Sequence, residues 1–461
     1  MSSTLWSGRF DAAPDAAAFE FQKSFRFDRR LFDEDVTGSL AWARALGRAG
    51  VLPKADVDQL EKALSDIRQR GQSDPRFVDG DDEDVHSFVE RVLVERVGDA
   101  GRRLHTGRSR NEQVSLDVRL YLMRRIPALQ GGIARVVAAL SAQAAAAGDA
   151  LMPAFTHFRP AQPVLVAHFF LAHIAPLRRD HQRLAAARDE ADALTLGSGA
   201  VAGTSYEIDV NALAQELGFS RIVANSIDAS SDRDFAASFH YACSMTMVHL
   251  SRLAEDLIIL CGDGHRFFEL SDALSTGSSM MPQKKNPDPL ELVRGKTGRS
   301  IGHLVALLAA LKGLPSGYNK DLQEDKEAIF DAEDTLAGCL AAVRSVVDGL
   351  TLNRAQAAAA ATGLLLATDV ADYLVRRGVP FRRAHEISGG LVRKLLAEGR
   401  GFASLSLAEW RAASELFDAD IAAHVTSSAS VAAKRTPQST APSAVARALA
   451  EAQDWVARAS G

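Results

Sequence analysis

Apolar residues recur every three or four positions along most of the chain, the spacing of helices that bury one face. Over residues 1–110 the periodic stretches are short. One helical pattern spans about 29–50, and Pro53 opens another with Val57, Leu60 and Leu64 on one face. The run Asp79-Gly80-Asp81-Asp82-Glu83-Asp84 precedes a third, which carries Val85, Phe88, Val89 and Val92. Acidic residues suit a helix N-terminus; a calcium loop would need a twelve-residue ligand pattern ending in a suitable Glu, which is missing. From 111 the runs lengthen. One passes through Leu116, Leu120 and Met123, and others cover 128–150, 163–192, 231–262, 286–313 and 320–350. Pro163 suits a helix start and Pro176 predicts a kink. Beyond 351 shorter helices are expected, divided at Gly378-Val379-Pro380 and at Gly389-Gly390, and 426–442 reads as a loop. The pattern predicts an all-α protein: an N-terminal helical domain over 1–110, a central long-helix bundle over 111–360 and a C-terminal helical domain over 361–461. Long helices with more than one apolar face suggest burial against other subunits.

Composition narrows the class. The 461 residues are 47% hydrophobic and 24% charged, with a formal net charge of -5. That balance argues against nucleic-acid binding through a global basic field. Cys243, Cys261 and Cys339 lie far apart, with neither metal spacing nor a disulfide framework, so a reducing cytoplasm is the expected compartment. No apolar run is long enough to span a bilayer, and Met1–Trp6 lacks the basic-then-apolar order of a signal peptide, so no membrane association is expected.

Candidate chemistry gathers in four polar clusters. Gly277-Ser278-Ser279-Met280-Met281-Pro282-Gln283-Lys284-Lys285-Asn286-Pro287 offers hydroxyl, ammonium, amide and backbone N–H groups, a set suited to a carboxylate and the charge that develops on it. The alternative is a polar connector between helices, and either serine could be the reactive one. His105-Thr106-Gly107-Arg108-Ser109-Arg110-Asn111 precedes a helix and suits an anion, or is a simple cap. Thr156-His157-Phe158-Arg159-Pro160-Ala161-Gln162-Pro163 joins two long helices and holds a histidine able to act as acid or base. Gly313 to Lys326 breaks a helix and presents Tyr318, Gln323 and Lys326. Gly197-Ser198-Gly199-Ala200-Val201-Ala202-Gly203-Thr204 lacks the Lys-Ser/Thr ending of a phosphate loop, which excludes that reading.

With these clusters in view, the chain resembles the argininosuccinate lyase family of the fumarase/aspartase superfamily. The 277–287 stretch looks like the superfamily's signature loop, Gly-Ser-Ser-x-Met-Pro-x-Lys-x-Asn-Pro. His105–Asn111, Gln283-Lys284-Lys285 and Lys312–Glu327 are more specific to this family, and the likeness runs from Leu5–Phe10 to the C-terminal domain. The resemblance implies a three-domain all-α fold whose long helices form the twenty-helix core of a homotetramer. It implies active sites shared by three subunits, and neither metal nor organic cofactor. The implied reaction splits argininosuccinate into fumarate and L-arginine, the last step of arginine biosynthesis. By family correspondence Ser278 is the base, Lys284 and Asn286 stabilise the developing dianion, and His157 works with Glu291 as its carboxylate partner. Substrate contacts fall on Ser24, Asp84, Ser109, Arg110, Asn111, Thr156, Tyr318, Gln323 and Lys326. Arg159 and Phe158 depart from the family's usual Gln and Leu, and both flank His157. The competing readings are another fumarate-releasing lyase of the superfamily and a catalytically silent, crystallin-like structural homologue.

Overall fold

The structure is a computed structural model that describes residues 15–459; the likeness over Leu5–Phe10 lies outside the described residues. Helices α1 (Phe32–Arg48), α2 (Lys54–Ser73) and α3 (Val85–Val97) follow the apolar spacing. Leu60 and Leu64 of α2 are buried, as are Val85, Phe88, Val89 and Val92 of α3. Phe25, Phe32, Phe77 and Phe88 pack ring against ring, with centroids 5.3 to 6.4 Å apart. Fully burying one such side chain stabilises by about 1.5–3 kcal/mol. Asp84 caps α3: its carboxylate accepts from the Ser87 N–H at 2.7 Å.

Five long helices follow: α4 (Arg110–Ala147), α5 (Val166–Ala191), α6 (Asp234–Cys261), α7 (Asp288–Leu311) and α8 (Asp325–Asp348). The two runs expected over 111–123 and 128–150 are one helix, which continues through Pro127. An interior proline costs about 3 kcal/mol. Burial of Leu122, Ile126, Leu129 and Ile133 around it supplies more than that.

The stretch 151–165 differs most from expectation. It is an antiparallel hairpin of β1 (Leu151–Thr156) and β2 (Arg159–Leu165), not a connector leading into a helix at Pro163. Pro163 pairs with Pro153, and α5 begins at Val166. Four further two-residue strands form two pairs. β3 (Phe268–Glu269) pairs with β6 (Thr351–Leu352), and β4 (Thr276–Gly277) pairs with β5 (Lys285–Asn286).

In the C-terminal part, α9 (Ala367–Arg376), α10 (Phe381–Glu398) and α11 (Pro442–Ala459) are helical. Gly389-Gly390 does not divide α10. Ala384, Ser388, Leu391 and Leu395 bury one face of it, which offsets the roughly 1 kcal/mol that each interior glycine costs. The segment 426–442 is not wholly loop: Ser427–Ala432 is a helix capped by the Thr426 hydroxyl. Val370, Leu374, Leu391, Trp410 and Phe417 belong to the local core.

The chain forms two compact units. The first comprises Met1–Ala128, Arg183–Cys243 and Ser300–Asp334; the second comprises Leu129–Gln182, Ser244–Arg299 and Thr335–Gly461. Among the described residues no single helix is long and apolar enough to cross a membrane.

Candidate functional site

The start of α4 supplies the most organised part of a cavity of about 650 Å3 in the first unit. Ser109 precedes the helix, and its N–H donates to Glu112 Oε1 at 2.9 Å. Its hydroxyl in turn accepts from the Asn111 N–H at 3.3 Å. Glu112 thus makes the glutamate half of a capping box, while the serine hydroxyl takes the N–H of Asn111. Glu112 Oε2 also accepts from the Gly199 N–H at 3.0 Å, which ties the 197–204 segment to the same wall. Glu112 is fully buried, and burial pushes its carboxyl up to about 7 against those two bonds. Arg110 is held by Glu90 and Gln113, each at 3.2 Å. Ser109, Arg110 and Asn111 all line the cavity, so a helix N-terminus and a guanidinium face it together.

Carboxylates stand on another wall. The Ser24 hydroxyl donates to Asp28 Oδ2 at 2.5 Å, and the Val85 N–H donates to Asp28 Oδ1 at 2.9 Å. Burial pushes the Asp28 carboxyl above its ordinary range. Burial acts on Asp84 in the same direction, but His86, Arg110 and the Ser87 bonds outweigh it and hold Asp84 at about 2. Asp84 is therefore ionised at neutral pH.

The segment before α8 closes the cavity. Gln323 Nε2 donates to the Gln22 carbonyl at 3.2 Å. Lys326 is 3% exposed and donates to Asp325 Oδ1 at 2.8 Å, while Asp325 Oδ2 accepts from Arg233 Nε at 2.5 Å. Burial pushes the Tyr318 phenol up to about 12, so it remains a neutral hydroxyl. Arg108, Arg110 and Lys326 thus share one cavity with Asp28 and Asp84. A lining of both signs fits a ligand that carries carboxylates and a cationic group.

The remaining predicted residues lie in the second unit, on two segments. Thr156 ends β1, and His157 and Phe158 form the two-residue turn with φ of 52° and 56°. A tight hairpin turn with both central residues left-handed usually carries Asn-Gly. Histidine tolerates this region better than most residues and phenylalanine poorly, so the turn is strained to present an exposed imidazole. Phe158 is 85% exposed.

Ser278 opens the loop between β4 and β5. Its hydroxyl oxygen accepts from the Met281 N–H at 3.0 Å and the Met280 N–H at 3.3 Å. Asn286 Nδ2 donates to Thr276 Oγ1 at 3.4 Å across the strand pair. Lys285 is taken up by Asp272 at 2.8 Å, whereas the exposed Lys284 ammonium makes no ion pair among the described residues. Glu291, on α7, lies 3.7 Å from Arg294 and makes no hydrogen bond or ion pair with His157 within the chain.

The cavity thus brings together Ser24, Asp84, Ser109, Arg110, Asn111, Tyr318, Gln323 and Lys326. It does not include Thr156, His157, Ser278, Lys284, Asn286 or Glu291. His86, beside Asp84 at the helix start where the sequence allows both to face a pocket, also lines the cavity, whereas Asp28 and Glu112 carried no sequence expectation. Asp28 stands four residues after Ser24 and Glu112 three after Ser109, spacings that on a helix or its cap bring two side chains together.

Comparison with known proteins identifies the family and the fold. A lyase family model matches residues 8–302, and a model of the argininosuccinate lyase C-terminal region matches 364–432. The argininosuccinate lyase of Moorella thermoacetica is 48% identical over 457 residues, covering 98% of each chain. That of a Roseiflexus species is 48% identical over 453 residues, covering 98% of this chain and 99% of its own. Among solved structures, EDDS lyase in complex with formate superposes with a TM-score of 0.85 at 24% identity, over 97% of this chain and 93% of its own. The 3-carboxy-cis,cis-muconate lactonizing enzyme of Pseudomonas putida gives 0.74 at 20%, over 95% and 98%. The structural matches carry the fold, and the sequence matches carry the family: this chain belongs to the argininosuccinate lyase family of the fumarase/aspartase superfamily.

Proposed function

We propose that this protein cleaves argininosuccinate to fumarate and L-arginine by elimination. The observation that carries this reading is the mixed-sign cavity, in which Ser109, Arg110, Asn111 and Lys326 face Asp84. Argininosuccinate has three carboxylates, an ammonium and a guanidinium, so it needs partners of both signs. The cation-bearing wall takes carboxylates, where guanidinium and N–H donors bind bidentately. Ser24, Thr156, Tyr318 and Gln323 supply neutral hydrogen bonds.

The proton to be removed lies on the carbon next to a succinyl carboxylate and is weakly acidic. Ser278 takes it. The electron pair first builds a second negative charge on that carboxylate, where Lys284 and Asn286 stabilise it. The pair then forms the carbon–carbon double bond of fumarate as the carbon–nitrogen bond breaks, and arginine leaves after gaining a proton. A serine needs activation to act as a base; two backbone N–H groups on Ser278 Oγ stabilise its ionised form. His157, oriented by Glu291, supplies acid–base support to the departing nitrogen. Since Glu291 and His157 do not pair within one chain, that pairing is assigned to neighbouring subunits.

The assembly is a homotetramer with sites shared by three subunits. Leu292, Ile301, Val305 and Leu308 of α7 are 42% to 60% exposed, which supports burial of this helix against further copies. The 277–287 loop closes over the substrate and excludes water.

The deciding experiment incubates the protein with argininosuccinate and follows fumarate absorbance together with arginine release. Turnover of a different succinyl adduct but not of argininosuccinate would assign the chain to another reaction of the superfamily. No turnover on any adduct would favour a crystallin-like structural role.

A further inference from the structure

Behind one wall of the cavity lies a group of buried titratable side chains that no step above uses. His86, on the first turn of α3, lines the cavity. Its Nδ1 hydrogen-bonds to Asp35 Oδ2 at 2.5 Å, and Asp117 Oδ2 lies 3.4 Å from the same nitrogen. All three side chains are 1% exposed or less. Asp35 belongs to α1, and Gln113 on α4 donates to its Oδ2 at 2.6 Å. A carboxylate fixed by two helices therefore fixes one edge of the imidazole.

The opposite edge is different. His86 Nε2 is buried and has no hydrogen-bond partner within the chain. The same holds for His105 Nδ1, Arg108 Nε and Arg110 Nε, which belong to three other residues lining the cavity. Buried polar atoms left without a partner are costly and uncommon. His86 lines the cavity, so the partner its Nε2 lacks is one that an acceptor oxygen of a ligand can supply.

The charges around the ring agree. Asp35 (α1), Asp117 (α4), Asp28 and Asp84 (near the start of α3) and His105, Arg108 and Arg110 (before and at the start of α4) face it from every packed element. Burial pushes Asp35 up, but His86, Arg108 and Arg110 outweigh it and hold Asp35 ionised. Burial and the neighbouring Asp35 push Asp117 well above the usual carboxylate range. The Asp35 carboxylate on Nδ1 fixes the orientation of the ring and leaves Nε2 as its free edge.

We propose that His86 donates from Nε2 to a carboxylate of the bound substrate and that Asp35 is the positioning residue that holds it there. This rests on the cavity being the argininosuccinate site. The test compares product inhibition of the full-length enzyme with Asp35→Asn and His86→Gln. Each variant should raise the inhibition constant of fumarate about tenfold, while that of arginine stays within about twofold of wild type. A merely structural role would not move one product selectively. The proposal is overturned if the fumarate constant is unchanged, or if both constants rise together. Should Asp35→Asn fail to fold, His86→Gln decides alone. Wild-type protein that neither turns over argininosuccinate nor is inhibited by fumarate overturns the substrate assignment and this proposal with it. An active wild type with unselective variants overturns this proposal alone.

Discussion

Replacing Glu112 by glutamine isolates the cost of burying a charge at the start of α4. Glu112 is fully buried, yet both its oxygens accept backbone N–H groups, from Ser109 at 2.9 Å and Gly199 at 3.0 Å. Burial raises its carboxyl from the ordinary 4.5 to about 7. Between those values the folded protein keeps a proton that the unfolded chain has released. Its contribution to stability is therefore full below pH 4.5 and falls as pH rises, until it levels off above about 7. At about 1.4 kcal/mol per unit, the loss between pH 5 and pH 8 is roughly 2–3 kcal/mol. Glutamine carries no charge and keeps one acceptor, but its amide group faces the second N–H, which costs about 1.5–3 kcal/mol. The variant should equal or trail wild type at pH 5 and gain on it steadily toward pH 8. For a chain of this length the relative gain is about 2–5 °C in melting temperature. Thermal unfolding of both proteins at pH 5, 6, 7 and 8 measures it. A melting-temperature difference that is flat with pH would refute the reasoning. A wild type that gains on the variant as pH rises would show that the two N–H bonds outweigh burial.

Four further outcomes follow from the site. Ser278→Ala should lower kcat by at least about a thousandfold with unchanged oligomeric mass, and near-normal steady-state activity would remove Ser278 as the base. His157→Asn keeps a residue that tolerates the left-handed turn while deleting the imidazole, so kcat should fall about a hundredfold or more with melting temperature nearly unchanged. Lys326→Met should raise KM tenfold or more and kcat should change less, as expected for the loss of one charged contact; a kcat-only effect would place Lys326 outside substrate binding. Val305→Asp puts a charge on the exposed apolar face of α7 and should reduce oligomeric mass by light scattering while helical circular dichroism persists; an unchanged mass would exclude this face as the interface.

Helices were legible where local signals agree. Leu60 and Leu64 of α2 and Val85 to Val92 of α3 repeat at helical spacing, and Asp84 caps as its position suggests. The 151–165 hairpin was not legible, because its turn is His157-Phe158 rather than Asn-Gly and its strands contain Pro153, Pro160 and Pro163. Gly389-Gly390 misled for the opposite reason: tertiary burial of Leu391 and Leu395 outweighs a local tendency to break. At the cavity, Ser109, Arg110 and Asn111 could be read as an anion-binding helix start. Glu112 bridging to Gly199 could not, since the bond joins residues 87 positions apart.

What the sequence settled by itself is local: helical periodicity, the caps, and the residue types in each polar cluster, because propensity and spacing act over a few residues. Family membership was also readable from the motifs. The tertiary structure alone decided which clusters meet. Ser24, Asp84, Arg110, Tyr318 and Lys326 converge on one cavity only after distant helices pack, and burial then raises Glu112 and Tyr318 to about 7 and 12, while nearby charge and the Ser87 bonds hold Asp84 at about 2. The same packing leaves Glu291 beside Arg294 rather than His157. Charge and solvation depend on every atom within several ångströms, most of them remote in sequence, and no local pattern of residues encodes that environment.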